Sequence, residues 1–238
     1  MSGIMGKSSK KKNLSPVDRV LNKESSFAVR EAYKALRTNL EFSFSEKGSK
    51  SLLFTSTEQG EGKSTSCLNT AITFGEAGFK TVLIDCDLRR PNVGSLLKLS
   101  NREGLSSLLT GHSQINDMLI PTEHPNLDVI VSGRIPPNPA ELLSSDAMQE
   151  LVDRLKRYYD YVFLDAPPIG VVTDGMILSR YADGVVMVVR ENVTDKKMLQ
   201  VAIGQLQFAK AKILGFLYND AATEGKGYGK YYGKYYGR

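Results

Sequence analysis

The stretch LLFTSTEQGEGKSTS, residues 52–66, opens on four residues of strand composition and closes on a glycine-rich turn that runs into a helical pattern. Such a turn can wrap a phosphate. Glycine lets the backbone bend until successive N–H groups face one anion, a lysine reaches the outer phosphates, and the hydroxyl that follows holds Mg²⁺. Gly60, Glu61, Gly62, Lys63, Ser64 and Thr65 are therefore the candidate nucleotide-binding residues, with Ser64 also a candidate metal ligand. Thr57 stands where the longer GxxxxGK[ST] pattern has its first glycine, so the match is to the shorter GxGK[ST] core. Its weight comes from the strand before it and the helix after it, which a chance glycine turn would not have.

Outward from this turn, short β-branched runs alternate with helical patterns. Strands are predicted at 52–55, 81–85, 127–131, 161–165, 184–189 and 213–218, several of them apolar on consecutive residues, as strands covered on both faces are. Helices are predicted at 26–43, 62–77, 146–158, 174–181 and 194–209. The alternation specifies an α/β fold, a mainly parallel β-sheet flanked by helices, and with the phosphate-wrapping turn a P-loop NTPase fold. Ligands of such sheets lie beyond the carboxyl ends of the strands, so the strand-to-helix turns are where the chemistry is sought.

Two further turns carry carboxylates. TVLIDCDLRRP, residues 81–91, places Asp85 and Asp87 two apart at a strand end, projecting to one side above the P-loop. Beside a bound triphosphate such a pair organises Mg²⁺ and takes a proton from an incoming hydroxyl. YVFLDAPP, residues 161–168, ends a hydrophobic strand in Asp165, a candidate Mg²⁺ ligand. Three turns in this order describe a phosphoryl-transfer site for a nucleoside triphosphate and Mg²⁺.

The remaining composition sets limits. At 238 residues the chain fits one domain at 16–222, between a basic terminus at 1–15 and a glycine-rich segment at 223–238, both expected to be disordered. No apolar run approaches the roughly 20 residues of a spanning helix, so a soluble cytoplasmic protein is expected. The formal charge of +5 sits at the ends: setting aside Lys7, Lys10, Lys11, Lys12, Lys226, Lys230, Lys234, Arg238 and Glu224 leaves 23 basic against 25 acidic residues. A slightly acidic body offers no nucleic-acid face. Cys67 and Cys86 lack metal or disulfide spacing and read as buried thiols, while His112 and His124 read as solvated loop residues. Arg89 and Arg90 either clamp phosphate or pair with carboxylates.

FTSTEQGEGKST, LIDCDLRRP and VFLDAPP resemble the Walker A, A′ and B motifs of the bacterial tyrosine kinases of capsule and exopolysaccharide production, in their separate cytoplasmic form. EAYKALRTNLEF at 31–42 resembles that family's oligomerisation helix, and GRIPPNPAELLSS at 133–145 its proline-rich segment. The resemblance implies ATP and Mg²⁺ as cofactors, Lys63 on the phosphates, Ser64, Asp87 and Asp165 at the metal, Asp85 as the candidate base and Asn219 beside the adenine; the turn itself leaves both Asp85 and Asp87 able to take the proton. It further implies a ring-like homo-oligomer through Glu31, Lys34 and Arg37, a membrane-protein activator that recruits the kinase to the inner face of the membrane, and a protein-tyrosine phosphatase that resets it. Two residues depart from the family pattern: Gln59 replaces a proline, and Lys34 stands where an arginine is usual, which removes a bidentate fork from the oligomerisation motif.

The chain ends in GYGKYYGKYYGR, residues 227–238. Tyr228, Tyr231, Tyr232, Tyr235 and Tyr236 are the expected phosphoacceptors, presented on glycine that gives reach and lysine that gives charge. Without the P-loop the same tail would read as an RNA-binding or condensing segment. A rival function is the partition or division-site ATPase, which shares the architecture and never phosphorylates protein. Members of that class carry a second lysine five residues before the P-loop lysine, where this chain has Glu58.

Overall fold

The computed structural model describes Ser15 and residues 17–221; the expectations for 1–14 and for the tyrosine cluster at 228–236 lie outside the described residues. Seven strands, β1 (Lys50–Ser56), β2 (Thr81–Asp85), β3 (Ile120–Pro121), β4 (Leu127–Ile130), β5 (Tyr161–Asp165), β6 (Gly184–Arg190) and β7 (Ile213–Asn219), form one sheet in the order β3-β4-β2-β5-β1-β6-β7. Every pairing is parallel except β3 with β4. The three strands that end in the motif turns, β2, β5 and β1, are thus adjacent at the centre. Register then aligns their ends: Asp85 is the direct partner of Asp165, and Asp165 is also the partner of Phe54.

Nine α-helices lie among the described residues: α1 (Phe27–Phe42), α2 (Lys63–Glu76), α3 (Val93–Leu96), α4 (Leu105–Leu109), α5 (Ile115–Met118), α6 (Pro139–Leu143), α7 (Asp146–Leu155), α8 (Asp174–Leu178) and α9 (Lys196–Phe208). All six predicted strands and five predicted helices are present. The helix predicted at 146–158 stops at Leu155, and the one at 174–181 tightens after Leu178 into a 3₁₀ turn over Ser179–Tyr181. Strand β3 and helices α3 to α6 have no counterpart in the expectation, because each spans five residues or fewer and so leaves no measurable period.

The sheet has a core on each face. One joins Leu53, Ile84 and Leu164 to α7, α8 and α9 through Leu151, Leu178 and Leu206; the other joins Leu52, Phe54 and Phe163 to α2 through Leu68, Ile72 and Phe74. All seven residues of β1 are buried, the polar Lys50, Ser51, Thr55 and Ser56 along with apolar Leu52, Leu53 and Phe54, as a central strand covered on both faces is. Phe74 packs with ring centroids 4.3 Å from Tyr161 and 5.3 Å from Phe163, which fixes α2 over the central strands. The P-loop lysine begins α2, so this packing also sets where its ammonium can reach.

Asp183 bolts the start of β6 to the start of β1. Its Oδ2 accepts from Ser51 N at 2.7 Å, Ser51 Oγ at 3.0 Å and Lys156 Nζ at 2.8 Å. Burial alone would push this carboxyl up, but Lys156 and the Ser51 N–H outweigh it and hold it below its ordinary value. A carboxyl lowered in the folded state stabilises fully above its unfolded pKa, and that contribution is lost as the pH falls through the folded one. Asp183→Asn is therefore expected to cost about 1.5 kcal/mol at pH 7, with the gap to wild type closing in urea melts at pH 3.

Candidate active site

The turn between β1 and α2 uses two left-handed glycines, Gly60 at φ +81° and Gly62 at φ +92°. Gly62 caps α2 with no side chain, and a Cβ placed there would run into Asn219 Nδ2. Glycine is thus demanded twice over, by conformation and by space. Asn219, the last residue of β7, donates through Nδ2 to the Glu61 carbonyl at 2.9 Å, so the sheet's edge strand braces the loop. Lys63, Ser64 and Thr65 form the first turn of α2, whose free N–H groups face the carboxyl ends of the strands.

Lys63 is the electrostatic centre. Its Nζ lies 2.9 Å from Asp87 Oδ2, 3.6 Å from Asp165 Oδ1 and 3.2 Å from Ser64 Oγ. Burial disfavours the ammonium, yet the carboxylates of Asp165 and Asp87 outweigh that cost and push its pKa up, so Lys63 stays charged. Asp85 is fully buried; its Oδ1 accepts from Asp87 N at 3.2 Å and its Oδ2 from Asn92 N at 3.1 Å and Val93 N at 3.0 Å. Burial first, and the neighbouring Asp165 second, push Asp85 up to about 8. Burial likewise raises Asp165, against the neighbouring Lys63 and Ser64 that lower it, and neither of its oxygens makes a close hydrogen bond, Lys63 standing 3.6 Å from Oδ1. Cys67 and Cys86 are buried free thiols, both pushed well up by burial, as structural cysteines are.

These residues fit a nucleotide-bound Mg²⁺. Two orphaned oxygens on Asp165, beside Ser64 and Asp87, are hard oxygen donors next to a phosphate cradle. Among the described residues no three His, Cys, Asp or Glu side chains are grouped to hold a metal alone. Mg²⁺ takes one or two carboxylates together with substrate phosphates rather than a protein cage.

The fold brings Gly60, Gly62, Lys63, Ser64, Thr65, Asp85, Asp87, Asp165 and Asn219 to one end of the sheet. Glu61 also sits there, but its side chain turns inward and is 1% exposed. Arg89 resolves to the carboxylate partner rather than the phosphate: it grips buried Asp174 through Nε at 2.7 Å and Nη2 at 3.1 Å. Arg90 donates to Gln59 Oε1 at 2.5 Å. On α1, Lys34 pairs with Glu31 at 2.8 Å on the surface, whereas Arg37 turns inward to the Thr73 carbonyl at 2.8 Å and to Glu41 at 3.1 Å. His112 is exposed as expected, but His124 is half-buried with Nε2 shut off from solvent and from partners, and burial pushes its pKa down. Thr194, Arg190 and Asp174 were not singled out from sequence; their partners lie 133, 130 and 85 residues away along the chain, beyond any local pattern.

An AAA domain family matches residues 49–200. The tyrosine-protein kinase YwqD of Bacillus subtilis is 43% identical over 79% of this chain and 80% of its own. Among solved structures, the chimerical protein CapA2B2 superposes with a TM-score of 0.78 at 37% identity, covering 83% of this chain and 86% of that one. The kinase domain of the Escherichia coli tyrosine kinase ETK gives 0.76 at 31% identity over 84% and 80% of the two chains. The septum site-determining protein MinD of Pyrococcus horikoshii gives 0.62 at 22% identity over 78% and 76%, a likeness of fold alone, which sets the positioning-ATPase reading behind the kinase one.

Proposed function

This chain belongs to the bacterial tyrosine-protein kinases, and from that premise we propose that it transfers the γ-phosphoryl group of ATP to its own C-terminal tyrosines, in trans, within a ring-like homo-oligomer. The observation that carries the reading is the Lys63 ammonium set between Asp87 and Asp165, with Asp85 in register beside it. Bound Mg·ATP supplies the phosphoryl group and the charge that stabilises the departing oxygen. Ser64, Asp87 and Asp165 hold the ion; Lys63 and the N–H groups from Gly60 to Thr65 neutralise and orient the phosphates; Asn219 lies on the adenine side. Asp85 accepts the proton of the tyrosyl hydroxyl as that oxygen bonds to phosphorus and the bond to the bridging oxygen of ADP breaks.

Tyr228, Tyr231, Tyr232, Tyr235 and Tyr236 are the acceptors, and tethering gives them an effective concentration of roughly millimolar. Each phosphate adds about −1.5 to −2 charge, which inverts the sign of the lysine-bearing tail and would release contacts that depend on it. Glu31 and Lys34 remain on the surface of α1 as the oligomer contact, with Arg37 fixing that helix against α2. No helix among the described residues is long and apolar enough to cross a membrane. In this reading a separate membrane-protein activator recruits the kinase to the inner face of the membrane. A phosphatase resets the tail, and the process governed is capsular or exopolysaccharide synthesis.

Purified protein incubated with Mg·ATP and the activator's cytoplasmic segment is expected to gain up to five phosphates on residues 228–236, read by intact mass and peptide sequencing. ATP hydrolysis with an unmodified tail would overturn the proposal in favour of a positioning ATPase.

A further inference from the structure

Beneath the P-loop lies a carboxylate that phosphate chemistry does not ask for. Glu61 adds negative charge to a loop that must bind a polyanion, and it is 1% exposed. Its Oε2 accepts from the backbone of Thr57 at 2.7 Å and of Glu58 at 3.1 Å, and its Oε1 accepts from Thr194 Oγ1 at 2.5 Å. Thr194 in turn accepts from Arg190 N at 2.8 Å and stands immediately before Asp195, the cap of α9. The loop's carbonyls are tied from the same side, Gly60 to Arg190 Nη1 at 2.9 Å and Glu61 to Asn219 at 2.9 Å. Arg190 also binds Asp220, just beyond β7.

We propose that Glu61 is a positioning residue that, latched by Thr194, holds the P-loop in its phosphate-binding shape before nucleotide arrives. A loop with Thr57 in place of the usual first glycine has less freedom to fold around a ligand. The buried carboxylate fills the first half of the loop from within, consuming the Thr57 and Glu58 N–H groups and leaving those that follow to face the phosphates. Thr194 keeps the carboxylate from turning outward toward the nucleotide, where it would repel it. Preorganisation of this kind is read in affinity, since a loop that must order itself on binding forfeits part of the binding energy. The inference rests on the nucleotide site of the kinase reading and goes on to name what shapes it.

The test is the dissociation constant of fluorescent ADP with Mg²⁺, beside melting temperature and ATP kinetics, for Glu61→Ala, Thr194→Val, Thr194→Ser and the Glu61→Ala/Thr194→Val double variant. Glu61→Ala is expected to weaken ADP about tenfold or more and to raise KM for ATP with kcat changed less. Thr194→Val should weaken it about threefold, Thr194→Ser should bind as wild type does, and the double variant should be no weaker than Glu61→Ala alone. A purely structural role would instead lower Tm and the active fraction at unchanged KM, and that result overturns the proposal. So does wild-type affinity in Thr194→Val, which settles the matter even if Glu61→Ala fails to fold. Wild-type protein that binds ADP but phosphorylates no tyrosine would overturn the kinase reading and leave this one standing; unchanged affinity in both variants would do the reverse.

Discussion

Lys63→Met is expected to lower the rate of tyrosine phosphorylation by about 10³-fold or more while leaving the protein folded. Methionine matches the length and apolar stem of lysine, so the packing at the start of α2 survives. What disappears is a buried cation 2.9 Å from Asp87 and 3.6 Å from Asp165. The ground state then holds the carboxyl groups of Asp85, Asp87 and Asp165 with no cation among them, and under the proposed mechanism the transition state loses the group that offsets charge on the phosphoryl oxygens. Both losses fall on one atom. Initial rates of tail phosphorylation, compared with the melting temperature of the same samples, separate them: catalysis should collapse, and stability should fall by roughly 1–3 kcal/mol, since the pair is broken in a nearly dry setting. A variant that retains a tenth of wild-type activity would show that the backbone nest alone binds the phosphates and that Lys63 is only the partner of its carboxylates.

The motif turns were legible because the chemistry they serve is local. GEGKS, DCD and FLDAPP each place their donors within a few residues of a strand end, and a parallel sheet brings strand ends together whatever the helices between them do. Asn219 comes from the family resemblance alone, since its place after an apolar run marks it only as a polar residue at a strand end. The side chains that shape these turns were not legible, because they come from elsewhere in the chain. Glu61 lies inside the motif and was read with its neighbours as a nucleotide contact, yet a one-dimensional pattern does not say that its carboxylate faces inward toward Thr194, 133 residues on. Arg89 shows the same limit: either phosphate or carboxylate satisfies an arginine after a DxD turn, and only the fold brings buried Asp174 within 2.7 Å of it. His124 reads from its loop as solvated, but the fold shuts off its Nε2 from solvent, which no local pattern announces. Periodicity reports which face of an element is covered, not by what.

Asp165 predicts opposite signs for two measurements on one variant. Its carboxyl is buried with no close hydrogen bond, Lys63 standing at 3.6 Å, and burial raises its pKa against the Lys63 and Ser64 that lower it. In the nucleotide-free protein this carboxylate is a cost, offset only in part by Lys63 at 3.6 Å, and Lys63 keeps the nearer Asp87 without it. Asp165→Asn removes the charge at nearly constant shape and is expected to stabilise the nucleotide-free protein by about 1–2 kcal/mol, a rise of roughly 2–8 °C in Tm for a chain of this size. The same substitution removes the anionic group proposed to hold the metal and should cut tail phosphorylation by about 10²-fold or more. Mg·ADP should raise the melting temperature of the wild type more than that of Asp165→Asn, so the two curves converge as ligand is added. A fall in the nucleotide-free Tm of Asp165→Asn would mean that the carboxylate is a structural partner of Lys63 rather than a group held ready for the metal. If the expected signs hold, the buried charge at the end of β5 is part of what makes binding favourable, because the ion and its phosphates offset in the complex a desolvation cost that the empty fold carries.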